Sequence, residues 1–283
     1  MTAPLVEAAN LAVAFGGGQV KAVRGVSFTL GREKLGIVGE SGSGKSTLGR
    51  ALMRLLPKSA RVTADRLRFQ EVDLLTASER ALVGLRGRRI GLILQDPKYS
   101  LNPVMRVGDQ IAEPYLQHFP RAGGRAAARA KVLDMLRAVQ IRDPERVARL
   151  YPHEVSGGMG QRVAIAMTLI AEPEVLIADE PTSALDVTVR LEVLSLLDEL
   201  VTRRNLGLIL ISHDLNLVRH FCDRVIIMYA GRIVETLPAA ELGEARHPYT
   251  RGLLASLPTI EHPVARLPTL QRDPAWAEPG MPS

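Results

Sequence analysis

Hydrophobic positions follow two rhythms along this chain. Between Leu5 and Phe15, and again from Ala22 to Leu30, apolar and polar residues alternate with the period of two expected of half-buried strands. Gly16-Gly17-Gly18 predicts the turn that joins them as an antiparallel pair. Leu35 to Val38, Val175 to Ala178, Leu208 to Ile211 and Val225 to Met228 are short unbroken apolar runs, the pattern of parallel strands covered on both faces. Ile90 to Leu94 reads as one more strand, and Lys45 to Leu56 as a helix stopped by Pro57. Helical segments lie between the strands, so the expected core is α/β, a parallel sheet flanked by helices with antiparallel strands at its N-terminal side. From Tyr99 to His153 Ala/Arg-rich helical spacing replaces the strand rhythm, predicting a helical subdomain inserted in the core at about residues 99–160. The core domain is expected to span residues 1–257. Beyond it, Pro258, Pro263, Pro268, Pro274, Pro279 and Pro282 predict that residues 258–283 form an extended tail.

Composition narrows the class. Of 283 residues, 46% are hydrophobic and 23% charged, the profile of a folded globular protein. No stretch reaches the roughly 18–20 apolar residues that a membrane-spanning helix needs. The first residues, Met1 to Glu7, lack the basic patch and apolar core of a secretory signal, so a cytoplasmic location is expected. Cys222 is the single cysteine; it can form no internal disulfide and no metal cluster, and reads as a small apolar filler. The net charge is +6, with a basic excess at Arg121, Arg125, Arg129, Lys131, Arg137, Arg142, Arg146 and Arg149. A solvated helix face explains it better than contact with anionic lipid or an acidic partner. Without interleaved aromatics or a recognisable module, nucleic acid is not an expected partner.

Gly39-Glu40-Ser41-Gly42-Ser43-Gly44-Lys45-Ser46, with Thr47 following, fits the phosphate-binding loop pattern between a strand and a helix. The glycines let several backbone N–H groups turn toward one phosphate, and the next helix offers its positive N-terminal end. Lys45 is suited to bridge β- and γ-phosphates, and Ser46 to ligate Mg²⁺. Kinases, GTPases, helicases and transport ATPases all use such a loop. Asp179, ending the run Val175 to Ala178, adds a carboxylate for Mg²⁺, and Glu180 a second one suited to polarise an attacking water. Ser156-Gly157-Gly158 stands ahead of a helical stretch. Ser156 can cap that helix and the glycines expose N–H groups, which makes a second anion site for a γ-phosphate.

This ordered set resembles an ABC-type nucleotide-binding domain, a P-loop NTPase, over about residues 5–257. Gly39 to Thr47 is similar to the Walker A loop, Ser156-Gly157-Gly158 to the family signature and Asp179-Glu180 to Walker B with its catalytic glutamate. Ser183-Ala184-Leu185-Asp186 resembles the D-loop. The resemblance implies further roles: Gln95 as the Q-loop glutamine near nucleotide and metal, His213 as the switch histidine contacting γ-phosphate, and Phe15 as the ring stacked on adenine. It also implies that each ATP lies between the loop of one subunit and the signature of another, so that binding closes a dimer and hydrolysis reopens it.

A narrower resemblance is to the oligopeptide/dipeptide/nickel importer ATPases. Gln95-Asp96-Pro97, Ser100-Leu101-Asn102-Pro103, Gly108 to Glu113, Tyr151 to Glu154 and His247-Pro248-Tyr249-Thr250-Arg251-Gly252-Leu253-Leu254 carry it. It implies a motor subunit at the cytoplasmic face of the inner membrane, working with two integral membrane permeases, a second ATPase subunit that is a paralogue rather than a copy, and an extracytoplasmic solute-binding protein. The groove near Gln95 to Asn102 would receive a short helix of a permease. The sequence departs from the pattern at Val155 and Met159 in the signature, and Gly160 is expected to loosen the helix start. Relatives carry cysteines after the His-Pro-Tyr segment for an iron–sulfur cluster; this chain has none there, and no cluster is expected. An ATPase subunit of a metabolic complex of the carbon–phosphorus lyase type is the alternative. A protein acting on DNA or ribosomes fits less well, because a single uninterrupted head is present.

Overall fold

The computed structural model of the protein describes residues 3–96, 100–257 and 273–277. They fall into two compact units, Met1–Thr76 with Ile209–Ser283 and Ala77–Leu208.

The first unit opens with β1 (Val6–Phe15) and β2 (Val20–Leu30), paired antiparallel as their alternation predicts. Val6, Ala8, Leu11 and Val13 are buried on β1, and Val23, Val26, Phe28 and Leu30 on β2. A short 3₁₀ turn over Gly16–Gly18 joins them. Next come β3 (Lys34–Val38) and α1 (Lys45–Leu52). α1 stops at Leu52 rather than at the predicted Leu56. Arg54 takes a left-handed φ of 53°, and its guanidinium donates to the carbonyls of Leu74 and Leu75 at 3.1 and 3.0 Å. Those tertiary bonds reward leaving the helix before Pro57 is reached. β4 (Arg61–Thr63) and β5 (Arg66–Phe69) both pair antiparallel with β1, and β6 (Val72–Asp73) pairs with β5.

The second unit contains α2 (Glu79–Leu85), β7 (Ile90–Ile93), α3 (Val107–His118), α4 (Gly124–Ala138), α5 (Pro144–Val147), α6 (Gly157–Leu169), β8 (Val175–Asp179) and α7 (Val187–Arg203). β7 and β8 run parallel, with Ile90 opposite Val175 and Ile93 opposite Ala178. The region read as a helical insertion holds α3 to α5 and the start of α6. Ile111, Val132, Met135 and Leu136 are buried there. The compact unit is wider than that stretch because α6 also packs on β7, where Thr168 Oγ1 donates to Leu92 O at 3.4 Å. The basic residues of α4 and α5 face water or pair locally. Arg137 bonds Asp134 and Glu145 at 3.1 and 2.6 Å, and Lys131 bonds Glu172 at 2.7 Å. That hydrogen bond from Lys131 is the main reason the Glu172 carboxyl titrates below its ordinary range.

The chain returns to the first unit with β9 (Gly207–Ser212), α8 (Leu215–Phe221), β10 (Arg224–Tyr229), β11 (Arg232–Pro238) and α9 (Pro248–Ala255). Strand order there is β11-β10-β3-β9. β10 is parallel to β3, with Arg224 opposite Leu35, and antiparallel to β11. Burial alone would raise the Glu33 pKa; the Arg224 bond at 2.7 Å, the Gly31 N–H and the Arg224 charge together hold it below its ordinary value. Cys222 is buried, and an added Cβ on Gly36 would come within 3.2 Å of its Sγ, the packing expected of an apolar filler.

Most of the expected extended tail, residues 258–272 and 278–283, lies outside the described residues, as do residues 97–99 of the Gln95 segment. The described piece is not extended: Pro274–Ala277 makes one 3₁₀ turn. Proline at the first position of a turn is compatible with it. Trp276 sets its ring 5.9 Å from Tyr229 and 6.0 Å from Tyr249. Among the described residues no helix is long and apolar enough to cross a membrane.

Candidate active site

The loop Gly39 to Gly44 leaves the end of β3 and enters α1 at Lys45. It is tightly held: the Ser43 N–H donates to Glu40 O at 3.1 Å, and the Gly231 N–H to Ser43 O at 3.1 Å. Two glycines are obligatory by geometry. A Cβ on Gly39 would lie 2.1 Å from the carbonyl oxygen of Met228. Gly44 sits at φ 99°, and a Cβ there would lie only 2.3 Å from Ala22 O. Lys45 is 5% exposed, and its Nζ donates to Gly39 O at 2.7 Å and Glu40 O at 2.9 Å. Burying an ammonium group is costly without such acceptors. The lysine charge is thereby fixed inside the curl that the sequence assigns to phosphate. Ser46 and Thr47 follow in the first turn of α1, the positive end of the helix dipole. A tight loop with crowded glycines at Gly39 and Gly44, a buried cation and a helix start together fit a polyphosphate.

In the second unit, β8 is buried along its whole length and ends in Asp179, which is 6% exposed. Glu180 follows with φ 47°, a left-handed conformation that costs a residue with a side chain about 1–3 kcal/mol. That bend directs the chain out of the strand, and the backbone is tied there by Ser183, whose Oγ donates to Glu180 O at 3.2 Å. Gln95 Nε2 donates to Glu180 Oε2 at 3.2 Å. Within the second unit the Gln95 amide oxygen and the Asp179 carboxylate are hard oxygen donors, and within the first the Ser46 hydroxyl is another. This is the chemistry that suits Mg²⁺, which needs only one or two carboxylates when phosphate and water complete its shell.

The predicted capping of α6 is present: Ser156 Oγ accepts from the Met159 N–H at 3.3 Å. The expected loosening at Gly160 is not found. Its N–H donates to Ser156 O at 2.8 Å, closing the first helical turn, and the residue is buried. Val189 packs on Gly158, its Cγ1 2.5 Å from a Cβ built there, and Leu185 Cδ2 lies 3.7 Å from a Cβ built on the exposed Gly157. Asp186 caps α7 through the Val189 N–H at 3.0 Å. The signature-like and D-loop-like segments are therefore packed together. Arg162 anchors α6 to its surroundings, donating to Val139 O and Gln140 Oε1 at 3.1 Å and to Glu192 at 3.1 Å.

Of the residues singled out from sequence, Phe15, Gly39 to Thr47 and His213 belong to the first unit, and Gln95, Ser156 to Gly158, Asp179 and Glu180 to the second. Phe15 closes β1 opposite Val20 and is half-buried. His213 is exposed just past β9, and Asp214 caps α8 by accepting from the Leu217 N–H at 3.1 Å. Sequence reasoning missed Tyr249, whose hydroxyl accepts from the Glu40 N–H at 3.0 Å. Only its place in the His-Pro-Tyr segment drew notice to it.

Comparison with known proteins identifies the family. A family model described as ABC transporter matches residues 23–183. The chain is 46% identical over 270 residues to the dipeptide transport ATP-binding protein DppD of Bacillus subtilis, covering 94% of this chain and 80% of that one. It is 47% identical over 262 residues to the oligopeptide transport ATP-binding protein OppD of the same organism, covering 91% and 73%. Among solved structures, the dimeric post-hydrolysis state of the ATP-binding cassette MJ0796 bound to ADP and Pi aligns with a TM-score of 0.70 at 26% identity, over 83% of this chain and 98% of that one. CbiO1 from Clostridium perfringens, part of the transporter complex cbiONQ, aligns with a TM-score of 0.71 at 27% identity, over 86% and 92%.

Proposed function

The chain belongs to the ABC transporter family, and from that membership we propose that it is the ATP-hydrolysing motor of an importer for peptides or similar small solutes. The observation that carries the reading is the phosphate loop, with Lys45 Nζ held 2.7 and 2.9 Å from two loop carbonyls, between Gly39 and Gly44, where a Cβ would clash with the backbone. The relatives' roles in dipeptide and oligopeptide transport support the solute class. They favour transport over a metabolic complex.

In this reading Lys45 turns from loop carbonyls to the β- and γ-phosphates, and the N–H groups of residues 42–47 surround the β-phosphate. Phe15 stacks on adenine. Bound Mg²⁺, held by Ser46, Gln95 and Asp179, supplies positive charge to the phosphate oxygens. Glu180 orients water and takes up its proton, and the Gln95 amide fixes the direction of that carboxylate. His213 contacts the γ-phosphate. Ser156, Gly157 and Gly158 of a second cassette offer the helix start at α6 to the same phosphate, a sandwich that the dimeric form of MJ0796 supports by analogy. Loss of γ-phosphate then removes the shared ligand and reopens the pair.

The partners proposed are a paralogous ATPase subunit, two integral membrane permeases and an extracytoplasmic solute-binding protein, with the chain peripheral on the cytoplasmic face of the membrane. The loop after Gln95 is the proposed permease contact. Its described part is pinned by Gln110, whose amide exchanges bonds with Asn102 at 2.8 and 2.9 Å. Purification of the tagged chain from native membranes in mild detergent tests the assembly. Integral membrane subunits and a second ATPase should co-purify; recovery with soluble proteins alone would favour the metabolic alternative.

A further inference from the structure

The segment after β11 builds a buried polar support behind the phosphate loop. Glu235, on β11 and 6% exposed, accepts through Oε1 from the N–H groups of Arg246 and His247 at 2.7 and 3.3 Å. His247 is 2% exposed and caps α9, its Nδ1 accepting from the Tyr249 N–H at 3.2 Å. Tyr249 is fully buried, and its ring lies 4.6 Å from that of Tyr229. Trp276 covers the group, 6.0 Å from Tyr249 and 6.2 Å from His247.

The Tyr249 hydroxyl accepts from the Glu40 N–H at 3.0 Å. That N–H belongs to the same peptide unit as the Gly39 carbonyl, which accepts from Lys45 Nζ at 2.7 Å. The first peptide of the loop is thus gripped at both ends. When Lys45 turns to phosphate, the oxygen end is released while the Tyr249 hydroxyl still holds the N–H end against rotation. A rotated peptide would change the path of the N–H groups that follow it. It would also bring the Gly39 carbonyl dipole toward an anion.

We propose that Tyr249 is a positioning residue for nucleotide: held by the Glu235–His247 cap, its hydroxyl fixes the Gly39–Glu40 peptide and so keeps the phosphate loop in its binding shape. This rests on the reading of the loop as an ATP site. The test is titration of the full chain with MgATP and MgADP, well below its melting temperature. Tyr249→Phe keeps the ring packing and removes the oxygen. It should weaken both nucleotides about three- to tenfold, the effect of one net hydrogen bond, with the loss in KM rather than kcat. His247→Ala should weaken binding likewise, whereas His247→Asn, which retains a capping acceptor, should restore it. Unchanged affinity in Tyr249→Phe overturns the proposal, and so does a lowered melting temperature with unchanged affinity. Lys45→Ala separates the two levels. If wild type binds ATP no better than Lys45→Ala, the nucleotide reading itself fails and this inference with it; if it binds better but Tyr249→Phe matches wild type, only the role of Tyr249 fails.

Discussion

Gln95 and Glu180 meet at the exits of two neighbouring parallel strands, Nε2 to Oε2 at 3.2 Å. The register accounts for the meeting. Ile93 on β7 is opposite Ala178 on β8, so the residues two places farther along on each strand arrive at the same level. The side-chain amide thereby fixes the orientation of a carboxylate that stands on a left-handed turn.

Replacing that carboxylate isolates its chemistry. Glu180→Gln should bind MgATP within about twofold of wild type. Turnover should drop by at least about a hundredfold, the contribution of one positioned base. An ATP-bound dimer should persist in size-exclusion chromatography. Hydrolysis at the wild-type rate would remove Glu180 from the assignment.

Lys45→Ala takes away the ammonium group that donates to both Gly39 O and Glu40 O. Calorimetry should find ATP binding weakened by at least about a hundredfold, as expected when a buried charge partner of a polyanion is deleted. Retained affinity would show that the lysine does not serve phosphate.

Ser156→Ala removes the cap on the Met159 N–H. A local cost of about 1 kcal/mol is expected. That is too small to unfold the chain, so its effect on dimerisation is readable. In a Glu180→Gln background, Ser156→Ala should abolish the ATP-dependent dimer in size-exclusion chromatography while monomer affinity for ATP persists. A dimer of unchanged stability would exclude the signature serine from the sandwich.

Acid should weaken the fold through two histidines whose folded pKa values are depressed. Burial pushes the His247 pKa below the ordinary 6.5, with the Glu235 charge opposing; burial and the Arg88 charge lower that of His118. Below pH 6.5 the unfolded chain binds protons that the folded chain refuses, so stability falls as pH drops from 6.5 toward the folded values. Urea midpoints should decline between about pH 7.5 and about pH 5.5, and His247→Asn should flatten part of that decline. An identical slope in the variant would rule out His247 as a source. The Glu33 and Glu172 carboxyls are depressed instead, so their contribution is lost only as pH falls below 4.5.

Short-range chemistry wrote much of this protein into its sequence. The phosphate loop, the Ser156 cap, the buried strands and the antiparallel opening pair were legible there because each depends on neighbours a few residues away or on the burial period of one element. The stop of α1 at Leu52 was not, because Arg54 leaves the helix to reach carbonyls of Leu74 and Leu75. Nor was the turn at Pro274–Ala277, whose shape goes with aromatic contacts to Tyr229 and Tyr249. Gln95 and Glu180 are 85 positions apart, and Glu40 and Tyr249 are 209 apart. A residue pattern can mark each partner as chemically able; strand register and packing alone decide that they touch.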